Sequence, residues 1–304
     1  MGKDNAGSIR VILFALGANL GIAIAKSVGA VLSGSAALLA EAIHSFVDCA
    51  NQLLLLLGLR QASKKPSKAH PLGFGREAFF WSFVVAIMLF SLGGLFAIYE
   101  GVHKLEKHEL PEQPLLALAI LLISIFLEAG SFITCLKQVR LENTFGSIWG
   151  WLRRTTSSDL LVVFLEDTAA LIGLTVATVF LCITWYTGDP WWDAAGSIAI
   201  GAVLVLVAVL LAVETKSLLI GEAPSVDYHD EVERIMASHV PGSKLLHLIA
   251  IQAGPSSVTV SMKVTPGSVE SVKALIDGIN AAEKEIKVRF PEVTWLFVEP
   301  DYLD

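Results

Sequence analysis

The sequence predicts a membrane protein in two parts: a helical domain with six transmembrane spans over residues 1–215, and a small cytoplasmic α+β domain over 216–304. Three observations carry this. Hydrophobic residues make up 54% of the 304 and charged residues only 17%, where a soluble domain has about a quarter charged; mean hydropathy is +0.64. Apolar stretches long enough to cross a bilayer as a helix, which takes about 20 residues, recur six times before residue 217. Beyond that point the composition becomes that of an ordinary globular protein.

The six stretches run over 9–32, 35–59, 78–102, 113–136, 158–185 and 191–215. The first is too long for the core of a signal peptide and has no convincing cleavage site, so it reads as a retained span. Orientation follows from basic loops. The loop after the second span carries Arg60, Lys64, Lys65, Lys68 and Arg76, and the loop after the fourth carries Lys137, Arg140, Arg153 and Arg154. The third-to-fourth loop has only Lys104 and Lys107, and the short fifth-to-sixth loop has no basic residue. Both termini are therefore expected in the cytoplasm. Trp149, Trp151, Trp185, Trp191 and Trp192 stand near helix ends, where an interfacial aromatic belt forms. Without a targeting segment or long loops, the expected location is a bacterial inner membrane. A formal charge of −7 carries no nucleic-acid signature. Cys49, Cys135 and Cys182 lie far apart inside apolar blocks, which fits small hydrophobes rather than a disulfide or thiolate metal site.

The tail changes period. Residues 230–239 read as a helix, 245–252 as a loose strand, and 257–264 (SVTVSMKV) as a cleanly alternating strand ending at the Pro266-Gly267 turn. Residues 269–289 have helical spacing and 295–298 form a last short strand. The order αββαβ suits a ferredoxin-like open sheet with two helices on one face. With fewer than 90 residues its core is limited, so dimerisation would help it.

Ionisable residues inside spans are costly and point to function. The run AEAIHSFVDCANQ in the second span places Glu41, His44 and Asp48 on one helical face, with Gln52 one turn further on. The fifth span holds Glu166 and Asp167, the fourth Glu128, the first Lys26, and Asp193 opens the sixth. His44 and Asp48, four apart, converge on one point beside the helix, as two ligands of a small cation must. Imidazole suits zinc, copper, iron and nickel, and carboxylates extend the range to manganese. Asp167 would be a third ligand from another helix. Zinc takes four, so Glu166 or a water would complete the set. The competing structural roles are plain: Asp167 as counter-ion of Lys26, Glu41 and Glu128 as interhelical hydrogen-bonding groups, and Asp193 as a helix cap. The glycines of the spans, Gly17, Gly21, Gly29, Gly93 and Gly94, suit close helix packing.

With these residues in hand, the chain resembles the cation diffusion facilitator family over nearly its whole length. The likeness lies in Lys26, in Ser33-Gly34-Ser35, in AEAIHSFVD at 40–48, HPLGFGREAFFW at 70–81, IYEGVHKL at 98–105 and WWDAAGSIAIGAVL at 191–204. It implies exchange of a cytoplasmic divalent metal, zinc above all, for protons, at a site of two residues on the second span and two on the fifth. The second-span pair matches as His44 and Asp48. On the fifth span the pattern has His or Asp four residues before an Asp; here Val163 stands at the earlier position and Asp167 at the later, with Glu166 beside it. In this the chain is similar to the branch containing the mitochondrial-type zinc transporters of animals. A second metal site with two histidines is common in the loop after the second span; here His70 remains and Phe74 replaces the other. The last strand, WLFVEP, lacks the histidines of relatives that bind metal in the tail, and His229, His239 and His247 match no ligand spacing.

The implied activity is secondary transport, not enzymatic turnover, with the divalent metal as substrate rather than cofactor. The expected partners are metal ion, protons, bilayer and a second copy of the chain. Metal and proton compete for the same lone pairs, and imidazole, with a reference pKa of about 6.5, switches near neutral pH. One alternative is a non-transporting family member acting as a regulatory or assembly partner, which the loss at Val163 favours. Another is transport of Na⁺ by carboxylates alone, against which His44 argues. An intramembrane hydrolase would need an HExxH motif or a serine–histidine pair, and neither appears in the spans.

Overall fold

A computed structural model describes residues 3–33, 36–107, 113–143 and 146–303; within these, the side chains of residues 3–6, 30, 32, 33, 36–41, 43, 44 and 107 are outside the description. The membrane part consists of α1 (Lys3–Ser33), α2 (Ala36–Ala62), α3 (Glu77–Met88), a π-helical stretch Leu89–Leu95, α4 (Phe96–Lys107), α5 (Pro114–Glu142), the short α6 (Ile148–Leu152), α7 (Ser158–Thr187) and α8 (Trp191–Ile220). Helix α3, the π-stretch and α4 run on as one rod. Among the described residues, five helices are long and apolar enough to cross a membrane: Gly7–Gly29, Glu77–Glu106, Pro114–Glu142, Ser158–Thr187 and Trp191–Ile220. Large apolar side chains point outward from them, Phe126, Leu206 and Val213 among the most exposed, as a lipid-facing surface requires and a water-facing one would not tolerate.

Helix α7 is the centre of this part. Half of its most apolar stretch is enclosed, 50% against 22% for α5, and every residue from Ser158 to Phe164 is buried. A helix that is apolar all round belongs inside, and Leu160, Leu161, Val162 and Val163 pack there against α1, α3, α5 and α8. Trp151 departs from its expected place in the aromatic belt. It is buried and meets Phe164 edge-on at 5.7 Å, whereas Trp149, Trp185 and Trp191 are exposed. Cys49 and Cys135 are buried small residues, but Cys182 lies on an exposed face of α7. Asp193 does not cap α8, whose N-cap Pro190 makes no side-chain bond; it reaches Lys104 at 3.1 Å, tying α4 to α8. The two rods cross closely where Gly94 meets α8. A Cβ on Gly94 would lie 2.6 Å from Val205 Cγ2, and one on Gly201 2.8 Å from the Gly94 carbonyl. By contrast Gly17 has open space beside it.

The tail contains α9 (His229–His239), β1 (Leu245–Gly254), β2 (Ser257–Val264), α10 (Val272–Arg289) and β3 (Val293–Pro300). Its sheet has the order β1-β2-β3. The first pair is antiparallel across the tight turn at Pro255-Ser256. The second pair is parallel, which needs a crossover, and α10 provides it. Period-2 alternation sends Val258, Val260, Met262 and Val264 to one face, where they join Val232, Ile235, Met236, Ala282 and Ile286 from the two helices. Ser271 caps α10 by accepting from the Ala274 amide. Tyr228 donates its hydroxyl to Glu292 at 3.0 Å; burial, then the charge of Glu292, pushes its pKa well above the usual tyrosine value.

The other sheet face carries Ile251, Thr259 and Trp295 side by side across the three strands, and the loop after α2 docks against it. Trp295 Nε1 donates to the Leu72 carbonyl at 3.1 Å. Gly254 would place a Cβ 2.8 Å from Gly75 Cα, and a Cβ on Gly75 would run into the Ala253 carbonyl. A cavity of about 540 Å³ remains between this loop, the end of α8 at Leu219 and the sheet. Two glycines face to face are therefore the condition for the loop to lie on the sheet. Gly75→Ala is expected to lift residues 69–76 off the tail while leaving the sheet core intact. Amide hydrogen exchange checks this: faster exchange around Leu72–Gly75 with unchanged protection in Val258–Val264.

Candidate metal site

The four residues expected to hold metal fall on two helices, α2 with His44 and Asp48, and α7 with Glu166 and Asp167. The side chain of His44, and that of Glu41, lie outside the described residues. Asp48 is partly buried on α2. Glu166 and Asp167 are both buried, and they face different neighbours. Successive residues on an α-helix point about 100° apart, so consecutive acids on α7 address two sides. Glu166 faces α2, accepting from Asn51 Nδ2 at 3.0 Å on one oxygen and from Gln52 Nε2 at 3.2 Å on the other. Asp167 faces α5, accepting from Ser131 Oγ at 2.9 Å and sharing a hydrogen bond with the Glu128 carboxyl. Asp167 thus has hydrogen-bonding partners on α5, Ser131 and Glu128.

Glu128 is buried within electrostatic reach of Asp167, Asp48 and Glu166 together. Asp48 in turn acts electrostatically on Glu166. Four carboxyl groups from α2, α5 and α7 therefore share one interior region. Among the described residues, however, no three His, Cys, Asp or Glu side chains stand close enough to hold a metal ion. Val163, at the position where a fourth ligand would stand, is fully buried among apolar neighbours. Asn51 and Ser131 are the members of this region that the sequence pattern left without an assigned role, whereas Glu128 takes the interhelical hydrogen-bonding role expected of it. The signal for them is the Glu166-Asp167 pair itself: two adjacent acids inside a membrane need polar partners on two helices.

Three histidines outside the spans, His70, His229 and His239, have other partners. His70 packs on Phe74, ring centroids 4.5 Å apart, so an aromatic ring occupies the place of a second ligand. His239 meets Glu285 at 2.6 Å and His229 meets Asp230 at 3.5 Å.

Residues 12–220 match the family of the cation efflux transmembrane domain. The chain belongs to this family, the cation diffusion facilitators. Among its curated relatives is the mitochondrial proton-coupled zinc antiporter SLC30A9 of Xenopus laevis, 29% identical over 237 residues, with 77% of this chain and 42% of the relative covered. Metal tolerance protein C4 of Arabidopsis thaliana is 33% identical over 193 residues, covering 63% of this chain and 42% of the relative. Magnetosome protein MamB of Magnetospira sp. (strain QH-2) is 29% identical over 168 residues, covering 55% and 57%. The matched region spans less than half the length of the first two relatives.

The hydrogen bonds around Asp167 can be weighed by substitution. Ser131→Ala removes a donor to a buried carboxyl group, and a hydrogen bond between membrane helices contributes about 0.6 kcal/mol on average and up to about 1.7. Ser124, on the same helix, has a buried hydroxyl with no hydrogen-bond partner among the described residues. Unfolding of the two variants in detergent is expected to show a loss in that range for Ser131→Ala and little change for Ser124→Ala.

Proposed function

We propose that this chain is a secondary transporter that exports a divalent transition metal, zinc first and manganese, iron, cobalt or nickel as further candidates, from the cytoplasm in exchange for protons. The observation that carries the proposal is the gathering of Asp48, Glu128, Glu166 and Asp167 in one buried region between α2, α5 and α7. Such charge inside a membrane is costly unless a cation or protons compensate it. The resident zinc antiporter activity named for one relative supports the same reading.

In this reading His44 and Asp48 on α2 and Asp167 on α7 are ligands of the transported metal, with Glu166 or a water as the fourth. A carboxyl–carboxylate hydrogen bond needs a proton, because an ionised carboxylate can only accept. The Glu128–Asp167 pair therefore carries one, in position to leave when a cation arrives. His44 must likewise be neutral to ligate. Helix α2, Ala36–Ala62, with 27 residues, is the sixth span, and both termini face the cytoplasm. Residues 1–215 form the transport domain and 216–304 the cytoplasmic, ferredoxin-like tail, through which two copies of the chain associate. The site alternates between the two membrane faces, the general solution for such carriers.

Proteoliposomes holding a pH-sensitive dye test this directly. Wild-type protein is expected to move protons when zinc is added, and Asp48→Ala and Asp167→Ala are expected to abolish that movement; transport unchanged in both would sink the proposal. Zinc affinity is also expected to fall as the pH is lowered from about 7.5 to about 5.5, through the reference imidazole value. The second reading, a non-transporting partner protein, is favoured by Val163 and by the engagement of Asp167 with α5. It predicts no dication-dependent proton movement even in the wild type.

A further inference from the structure

Glu166 is held by two neutral amides, and those amides leave something unsatisfied. Asn51 and Gln52 are 1% and 0% exposed. Each turns its nitrogen to a different oxygen of Glu166. Their oxygens, Asn51 Oδ1 and Gln52 Oε1, are buried with no hydrogen-bond partner among the described residues. Buried acceptors without donors are rare because each forfeits its hydration, and here two lie side by side on one helix. Each is bonded to the same carbon as the nitrogen that reaches Glu166, so all three side chains border one spot between α2 and α7. Asp48, one turn away on α2, lies within electrostatic reach of Glu166 as well.

One carboxyl group, with waters held by two amide oxygens, makes an all-oxygen surrounding, the kind that suits magnesium, calcium and manganese rather than a soft thiolate-seeking ion. We infer that Asn51, Gln52 and Glu166 form a separate oxygen-only subsite for a divalent cation that keeps part of its water shell. Its remaining waters would donate to the two orphaned amide oxygens while the ion meets the carboxylate. Asn51 and Gln52 stand three and four residues beyond Asp48, so the subsite lies about one helical turn, about 5 Å, from Asp48 and about two turns from His44. The displacement is toward the basic loop that starts at Arg60. A cation held here by oxygen alone is still partly hydrated; the imidazole of His44 comes into play about two turns deeper. Glu166 is then a ligand of this waiting position, and its two amides set both its orientation and the hardness of the ion it accepts. The inference rests on the reading of α2 and α7 as the transport path.

The test uses the full chain in lipid nanodiscs with Mn²⁺ alone as the probe, counting bound ions by equilibrium dialysis and reading their ligands by electron paramagnetic resonance. Wild type is expected to bind two ions per chain. Asn51→Leu with Gln52→Leu should leave one, and Asp167→Asn should leave the other, now with no nitrogen hyperfine signature. Gln52→Glu, which keeps the shape and adds a carboxylate, should tighten the oxygen-only event by about tenfold, since affinity follows ligand charge; it serves where the double leucine variant fails to fold. A folded double leucine variant that still binds two ions, a Gln52→Glu variant with unaltered affinities, or a wild type with a single site lost in Asp167→Asn overturns the subsite. Loss of one ion in the leucine variant, with both retained in Asp167→Asn, would sustain the subsite and overturn the transport-site reading instead.

Discussion

A carboxylate cannot face lipid, and the two consecutive acids of α7 face different neighbours. Glu166 and Asp167 together oblige α7 to have protein on at least two sides, and much of the membrane part follows from that. Helix α2 supplies Asn51 and Gln52 to one acid; α5 supplies Ser131 and Glu128 to the other. With α1, α3 and α8 closing round its apolar residues, α7 becomes the most enclosed helix of the five. The helices that take its periphery can then be apolar outward with few internal demands, as α5 is at Leu122 and Phe126.

The same constraint explains what was legible in the sequence and what was not. Apolar length alone marks the spans, because the bilayer sets it. Period-2 alternation marks SVTVSMKV as the buried strand, and Pro266-Gly267 its end. The acids of α2 and α7 stand out because charge in such a setting has to be explained. Their pairing does not, since a partner is chosen by packing between helices far apart in sequence: Asn51 lies 115 residues from Glu166, and Ser131 lies 36 from Asp167. Nor does any local pattern reveal that Trp151 turns inward onto Phe164, or that Asp193 reaches across to Lys104 instead of capping its own helix. The π-helical stretch Leu89–Leu95 is equally silent. It contains Gly93 and Gly94, yet glycine in a span suits close packing as readily, and here Gly94 also does that against Val205.

Backbone contact governs the junction between membrane part and tail in a different way. Side chains alone would leave the sheet free to slide over the loop, but Gly75 against Gly254 and the Trp295–Leu72 hydrogen bond fix one position. That loop begins where α2 ends, at Arg60 and Ala62, and α2 also carries Asp48, Asn51 and Gln52. Any rotation or tilt of α2 that separates Asn51 and Gln52 from Glu166 has to be absorbed between Ala62 and Gly75, or else passed to the tail.

The polar link between α2 and α7 is short and neutral on one side, two amides on one carboxylate. The link between α7 and α5 is a hydroxyl and a carboxyl on another. The two differ in what they leave over. At Glu166 each amide spends its nitrogen on the carboxyl group, and its oxygen has no partner among the described residues. At Asp167 the partners are a hydroxyl and a second buried carboxyl group. Neighbouring acids on one helix thus meet unlike surroundings one residue apart, amides toward α2 and a hydroxyl with a second acid toward α5.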